Sequence, residues 1–156
     1  MRAPAWLAAV AATALAAVGV ALFTQYRMDM MPCAWCVLQR LVFVLIALAA
    51  LVGVVLPSLA GRKLGAALVG VLALCGLAAA AFQHFVAAAS SSCAMSLADK
   101  LMGFTGLDAR FPQVFAAYAS CADAKVDLLG LPYETYSAVL FVGMALVALK
   151  VWRNPR

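Results

Sequence analysis

The 156-residue chain contains little charge: only 11% of its residues are Asp, Glu, Lys or Arg, whereas 68% are hydrophobic. A soluble domain of this size could not hide that much apolar surface, so the composition excludes a water-soluble globular protein. The chain also lacks internal repeats and low-complexity tails, which excludes a repeat architecture. The formal net charge of +5 comes from Lys and Arg scattered singly among apolar runs. That pattern is typical of membrane proteins and argues against a nucleic-acid partner.

Four long apolar runs take up most of the chain. A spanning helix needs about 20 residues, and spans are predicted at about residues 3–23, 36–56, 64–85 and 132–152. The last run is the weakest, because it reaches a spanning length only with its flanking aromatic residues. The first run is longer than the apolar part of a signal peptide, so we expect it to remain as a span. Residues 1–156 are therefore predicted to form a single integral membrane domain.

The charges indicate how these spans are oriented. Four spans place both termini and the turn at 57–63 on one side, and all six acidic residues fall on the other side. The first side carries six basic residues, namely Arg2, Arg62, Lys63, Lys150, Arg153 and Arg156. The five basic residues opposite are mostly in a long loop, where charge has little orienting effect. Both termini are therefore expected in the cytoplasm, with outward loops at about 24–35 and 87–131.

The longer outward loop contains an aromatic stripe. Phe111, Phe115 and Tyr118 recur at helical spacing beside Val114, and Pro112 suits a first helical turn. The stripe predicts a short helix that lies either on the membrane surface or against the loop itself.

Four of the five cysteines fall on the outward side, where disulfides persist. Cys33 and Cys36 form a Cys-Ala-Trp-Cys motif at the start of the second span, and Cys93 and Cys121 lie in the long loop. Residues three apart at a helix start share a face, so the first two sulfurs can reach disulfide geometry. The helix N-terminus also favours a thiolate. Cys75, near the middle of the third span, is interpreted as a small packing residue.

Arg40 follows Cys36 by four residues and lies on the same helical face. It could stabilise a Cys36 thiolate or donate a hydrogen bond to a ligand carbonyl; alternatively, it only extends to the membrane surface. The first turn of a span is a costly place for an unneeded charge, which favours a functional role.

Several roles are open to these cysteines. The pair Cys93–Cys121 could be a structural staple, worth roughly 3.6 kcal/mol of chain entropy, and a non-enzymatic four-span protein would need no more. Two pairs facing one compartment favour thiol–disulfide exchange instead. Haem attachment would require His where Val37 stands. Zinc is disfavoured by oxidising surroundings and the absence of a second CxxC, and the βαβ pattern of a thioredoxin-like domain is absent.

The stretch from Pro32 to Arg40, PCAWCVLQR, resembles the start of the second span in the DsbB family of bacterial inner-membrane disulfide bond formation proteins. The likeness extends over essentially the whole chain. It includes four spans, one cysteine pair in each outward loop, Pro112-Gln113-Val114-Phe115 before the last cysteine, and Leu129-Gly130-Leu131 before the fourth span. Vitamin K epoxide reductase relatives are quinone-linked oxidoreductases of similar architecture. Their CxxC, however, normally comes after the loop pair, and here it comes first.

The resemblance implies an all-α membrane protein, a four-transmembrane-helix bundle with two periplasmic loops, the second of which carries a short surface helix. It also implies a protein-dithiol:quinone oxidoreductase that reoxidises a periplasmic DsbA-like thiol oxidase. The electrons would go to ubiquinone or menaquinone held in the membrane lipid.

The resemblance assigns a role to each outward cysteine. Cys93 would form the mixed disulfide with the partner, Cys121 would exchange with Cys33, and Cys36 would pass the electrons to the quinone. The electrons would thus pass from the long loop to the second span.

The resemblance further places Arg40 and His84 at the quinone. Three features depart from the family pattern: Gln39 stands where Glu is frequent, Val126 stands where an aromatic residue is frequent, and the spacing from His84 to Cys93 is short. These departures concern positioning rather than the chemistry.

Overall fold

The structure is a computed structural model that describes residues 2–89 and 96–156. The helices in this part of the chain are α1 (Ala3–Arg27), α2 (Ala34–Val55), α3 (Leu59–Phe85), α4 (Leu97–Thr105), α5 (Leu107–Arg110), α6 (Pro112–Phe115) and α7 (Tyr133–Arg153). A 3-10 turn (Ala87–Ala89) follows α3, and two short strands, β1 (Asp127–Leu128) and β2 (Leu131–Pro132), precede α7.

Four of the helices, α1, α2, α3 and α7, are long and apolar enough to cross a membrane. α1 packs on α2, α2 on α3 and α3 on α7, and α7 also contacts α1, which closes a four-helix bundle. Large side chains such as Leu48, Val71 and Leu146 remain exposed on its outer faces. In a bilayer these faces contact lipid, which is as apolar as they are. The predicted all-α membrane bundle is confirmed.

Both chain ends lie at the same end of the bundle. The Ala3 N–H donates a hydrogen bond to the Arg156 carbonyl (2.9 Å). The Arg62 guanidinium, in the first turn of α3, donates to the Pro155 carbonyl (3.1 Å). The termini and the α2–α3 turn therefore share one side, as four spans require. We call the opposite end, where α2 begins and the long loop lies, the loop end.

Helices α2 and α3 approach each other where two glycines meet. A Cβ added at Gly65 would lie only 2.6 Å from the Gly53 Cα. Farther along α3, Gly76 leaves room for the Phe141 ring, which stacks on Phe43 with 4.3 Å between ring centroids. Small residues of this kind let membrane helices pack closely.

Gly65→Ala is expected to destabilise the bundle by about 1–3 kcal/mol, because the new methyl group meets backbone that cannot move aside. The measurement is the thermal unfolding midpoint of the purified chain in detergent. Gly143→Ala is the matched control, since nothing lies within 4 Å of a Cβ added there. Equal midpoints for the two variants would contradict the close approach.

The long loop contains more helix than the aromatic stripe predicts. α4 begins with a capping box, in which the Asp99 N–H donates to Ser96 Oγ (3.2 Å) and the Ser96 N–H donates to the Asp99 carboxylate (2.8 Å). It ends at Thr105 and is followed by the C-cap Gly106, whose positive φ of 65° suits glycine. Asp127–Leu128 and Leu131–Pro132 then pair as an antiparallel hairpin before α7.

The helix expected at the aromatic stripe is present as α6, but it is shorter than the stripe. Phe115 is buried in a cluster with Val37 and Met102, and α6 ends there. Tyr118 lies beyond the helix because its N–H donates to the Pro32 carbonyl (2.9 Å) instead of continuing the helical pattern. The expectation that Tyr118 belongs to the helix was therefore wrong.

Candidate redox site

The CxxC motif forms the N-terminus of α2. Cys33 is the N-cap, and its Sγ accepts a hydrogen bond from the Cys36 N–H (3.4 Å). The two sulfur atoms lie 2.9 Å apart. Cys33 is fully buried and Cys36 is partly exposed. As the CxxC spacing predicts, the two sulfurs lie on one face of the helix start, and a small movement would bring them to disulfide distance.

The long loop brings Cys121 to this motif. The Tyr118 and Ala119 N–H groups both donate to the Pro32 carbonyl, at 2.9 and 3.3 Å, which fixes the loop beside the start of α2. The Cys121 thiol consequently lies within hydrogen-bonding distance of the Cys33 thiol. Cys93, the other predicted redox cysteine of the loop, lies outside the described residues.

The contacts of Cys33 and Cys121 affect their acidity in opposite directions. Hydrogen bonds to Cys121 and Cys36, together with burial, raise the pKa of Cys33. The hydrogen bond from Cys33 lowers the pKa of Cys121. Cys33 therefore keeps its proton and donates it, whereas Cys121 is the readier thiolate of these two and so the better nucleophile.

Two buried glutamines form a chain of hydrogen bonds that ends at Cys36. Gln83 Nε2 donates a hydrogen bond to Cys36 Sγ (3.2 Å), and Gln39 Nε2 donates to Gln83 Oε1 (2.7 Å). Sequence reasoning noted Gln39 only as a family departure, and it did not single out Gln83. The available signal was an amide side chain inside each of two apolar runs, where polar groups need a partner.

Arg40 does not extend to the membrane surface, because only 6% of the residue is exposed. Its guanidinium donates to Gln25 Oε1 (2.6 Å), the Val114 carbonyl (3.1 Å) and the Ala21 carbonyl (3.4 Å). It thus links α2 to α1 and to α6. Arg40 Nε is buried, and no acceptor contacts it among the residues that the structure describes. A free buried donor one helical turn from Cys36 suits a ligand carbonyl oxygen.

His84 has an acidic partner that sequence reasoning missed. His84 Nδ1 lies 2.8 Å from Glu134 Oε1, and this contact joins the end of α3 to the start of α7. The His84 side chain is 40% exposed, whereas that of Glu134 is 6% exposed. A buried carboxylate requires such a partner.

A largely apolar cavity of about 760 Å³ lies between α2, α3 and α4. Its lining includes Trp35, Leu38, Cys75, Phe82, Asp99 and Cys121. Arg40 and His84 do not line it. The cavity and the buried guanidinium therefore lie on different sides of α2.

Cys75 is exposed on the outer face of α3. The expectation that it packs inside the protein was wrong, because Ala73, Gly76 and Ala80 occupy the positions of α3 that face the bundle. Cys75 instead lines the cavity and faces the surface that lipid covers.

These features define a class, a four-span helical membrane protein with three neighbouring thiols at one end of its bundle. The family model described as "DsbB: Disulfide bond formation protein DsbB" matches residues 2–151. The chain belongs to the DsbB family, and it is a membrane oxidoreductase that forms disulfide bonds.

Individual relatives agree with this assignment. Disulfide bond formation protein B of Dechloromonas aromatica (strain RCB) is 30% identical over 151 residues, covering 93% of this chain and 89% of the relative. The protein of that name from Pseudomonas syringae pv. tomato is 32% identical over 144 residues, covering 91% and 85%. The one from Herminiimonas arsenicoxydans is 30% identical over 144 residues, covering 92% and 90%.

Proposed function

We propose that the chain reoxidises a periplasmic DsbA-like thiol oxidase and passes the electrons to ubiquinone or menaquinone. The observation that supports this most directly is the succession of sulfurs Cys121, Cys33 and Cys36. Each is hydrogen-bonded to the next, and together they lead from the long loop into the first turn of a span. A disulfide-forming protein that only stapled its own loops would not need three thiols in contact.

The exchange steps conserve the number of disulfides. A partner thiolate attacks Cys93 of a Cys93–Cys121 disulfide and releases the Cys121 thiolate. Cys121 then attacks Cys33 of a Cys33–Cys36 disulfide, which releases the Cys36 thiolate. The partner's second thiolate attacks the mixed disulfide, which forms the partner's disulfide and releases Cys93. Cys93 then attacks Cys121 of the Cys33–Cys121 disulfide, which releases Cys33 and restores the Cys93–Cys121 disulfide. One partner disulfide has formed, and Cys33 and Cys36 are left as a dithiol.

Restoring the Cys33–Cys36 disulfide removes two electrons and two protons from the dithiol. A quinone supplies the oxidising power, since it takes up both and becomes a quinol. Cys36 and Arg40 are the residues that would hold it, with the free Arg40 Nε–H donating to a carbonyl oxygen. His84 would lie nearby, as the family resemblance implies.

The proposed location is the bacterial inner membrane, with both termini in the cytoplasm and the loop end in the periplasm. The basic residues Arg2, Arg62 and Lys63 at the terminal end support this orientation, since short loops rich in Lys and Arg stay inside. The loop end then faces an oxidising compartment, where the partner's disulfide is used.

The test uses purified chain in detergent with ubiquinone, or with menaquinone in a parallel arm, and a reduced DsbA-like protein under anaerobic conditions. We expect one quinone to be reduced for every partner disulfide formed, and no turnover when the quinone is omitted. Partner oxidation that continues unchanged without quinone would contradict the proposal. Disulfides that resist mild dithiol treatment throughout would instead favour a structural staple.

A further inference from the structure

Two amide side chains are enclosed between α2 and α3 at the loop end. Gln39 is 4% exposed and Gln83 is 6% exposed. An amide buried in apolar surroundings is stable only if its donors and acceptor are paired. Gln39 Nε2 donates to Gln83 Oε1 at 2.7 Å, and Gln83 Nε2 donates to Cys36 Sγ at 3.2 Å. The pairing therefore ends on a reactive sulfur rather than on another structural group.

The chemistry of the sulfur determines the orientation of both amides. A thiolate only accepts hydrogen bonds, so Gln83 must turn its NH₂ group towards Cys36. Its carbonyl oxygen then faces Gln39, which must in turn present its own NH₂ group. Both donors are uncharged and do not titrate, so this arrangement holds over the whole range in which thiols ionise.

Arg40 does not take this role by direct contact. Its hydrogen bonds within the described structure go to Gln25, Ala21 and Val114. Among the described residues, Gln83 is the side chain outside the CxxC motif that donates to Cys36.

We propose that Gln83, oriented by Gln39, is a positioning residue that stabilises the Cys36 thiolate by donating an amide N–H to it. Its part in turnover rests on the proposed function, in which the Cys36 thiolate is the species released by exchange and then reoxidised. The stabilisation itself depends only on the contacts between α2 and α3.

Gln39→Glu offers a sharp test because it keeps the size of the side chain and replaces its NH₂ donor with an oxygen that accepts hydrogen bonds. A carboxylate at this position only accepts, so Gln83 must turn its NH₂ group towards it. The Gln83 carbonyl then faces Cys36 and repels a thiolate. Gln39→Glu should therefore destabilise the Cys36 thiolate, although residue 39 does not contact that sulfur.

The experiment uses the full-length chain in detergent with Cys36 as its only cysteine, the other four being replaced by serine. The rate of alkylation by iodoacetamide is measured across pH. Gln83→Met, which has similar length and no donor, and Gln39→Glu should each slow alkylation at neutral pH by about tenfold, as expected for loss of a hydrogen bond to a charged group. Both should move the rise in alkylation rate to higher pH and leave the rate at the high-pH plateau unchanged. Gln113→Met, at an exposed position of α6, is the matched control and should change nothing.

A lower plateau at every pH, without a shift of the profile, would show restricted access and overturn the inference. An unshifted profile in Gln39→Glu would overturn it as well, and this variant decides the matter if Gln83→Met does not fold. The assay contains neither quinone nor partner protein. If the unmodified chain fails to reduce quinone in the assay described above, but the two variants shift the alkylation profile here, the proposed function is refuted and this inference stands.

Discussion

Cys36→Ser is expected to reduce quinone no faster than a sample without the chain. The sulfur of Cys36 is the last of the three neighbouring thiols and the one that lies inside a span. A serine hydroxyl cannot form a disulfide with Cys33, so the dithiol that must be reoxidised no longer exists. Serine still accepts the hydrogen bond from Gln83, and we therefore expect the bundle to remain folded.

The measurement is the loss of quinone absorbance under anaerobic conditions with reduced DsbA-like partner. Cys75→Ser is the matched control, because Cys75 lies on the outer face of α3 and should be dispensable. On a non-reducing gel the Cys36→Ser chain should also accumulate a mixed disulfide with the partner, since the electrons have no exit. Quinone reduction at the unmodified rate in this variant would refute the proposed electron path.

Arg40→Ala is expected to weaken the apparent quinone affinity by about 10- to 100-fold, as for a lost charge-assisted hydrogen bond. It should leave the apparent affinity for the partner protein nearly unchanged, because within the described structure the guanidinium donates to Gln25, Val114 and Ala21 and not to Cys121. The substitution also leaves Gln25 Oε1 and the Val114 carbonyl without their donor. We therefore expect a loss of about 2 kcal/mol in the free energy of unfolding.

The dependence of the turnover rate on quinone and on partner concentration separates these effects. Arg62→Ala is the matched control, because Arg62 also has a buried Nε without an acceptor in the described structure but lies at the terminal end. It should lower stability without changing the affinity for quinone. If Arg40→Ala weakens both affinities equally, its role is structural rather than ligand binding.

The bundle and the proximity of Cys33 to Cys36 could be predicted because they depend on local pattern. Apolar runs of spanning length determine the four helices, and three-residue spacing alone brings Cys33 and Cys36 together. The capping box at Ser96 and Asp99 was also readable, as a serine followed three residues later by an acidic side chain.

The other site contacts depend on how separate helices pack, and the spacing of residues along the sequence does not specify that packing. Gln83 reaches Cys36 across 47 positions of the chain, and His84 reaches Glu134 across 50. Each position looked unremarkable in its own segment, since an amide or a histidine at the edge of a span is compatible with an interfacial location. Tyr118 lies outside the expected helix for a similar reason, because its N–H donates to the distant Pro32 carbonyl and not to a carbonyl one helical turn earlier.

The contacts of Arg40 link events in the loop to events in the membrane. One guanidinium holds α1 and α6 together, so any displacement of α6 breaks its hydrogen bond to the Val114 carbonyl and leaves a charged N–H without an acceptor. A ligand that accepts from that N–H favours the displaced loop, and by reciprocity a displaced loop binds such a ligand more tightly. Since the same loop carries Cys121, a protein that displaces the loop on docking and a ligand that binds this guanidinium would share a single free energy of coupling.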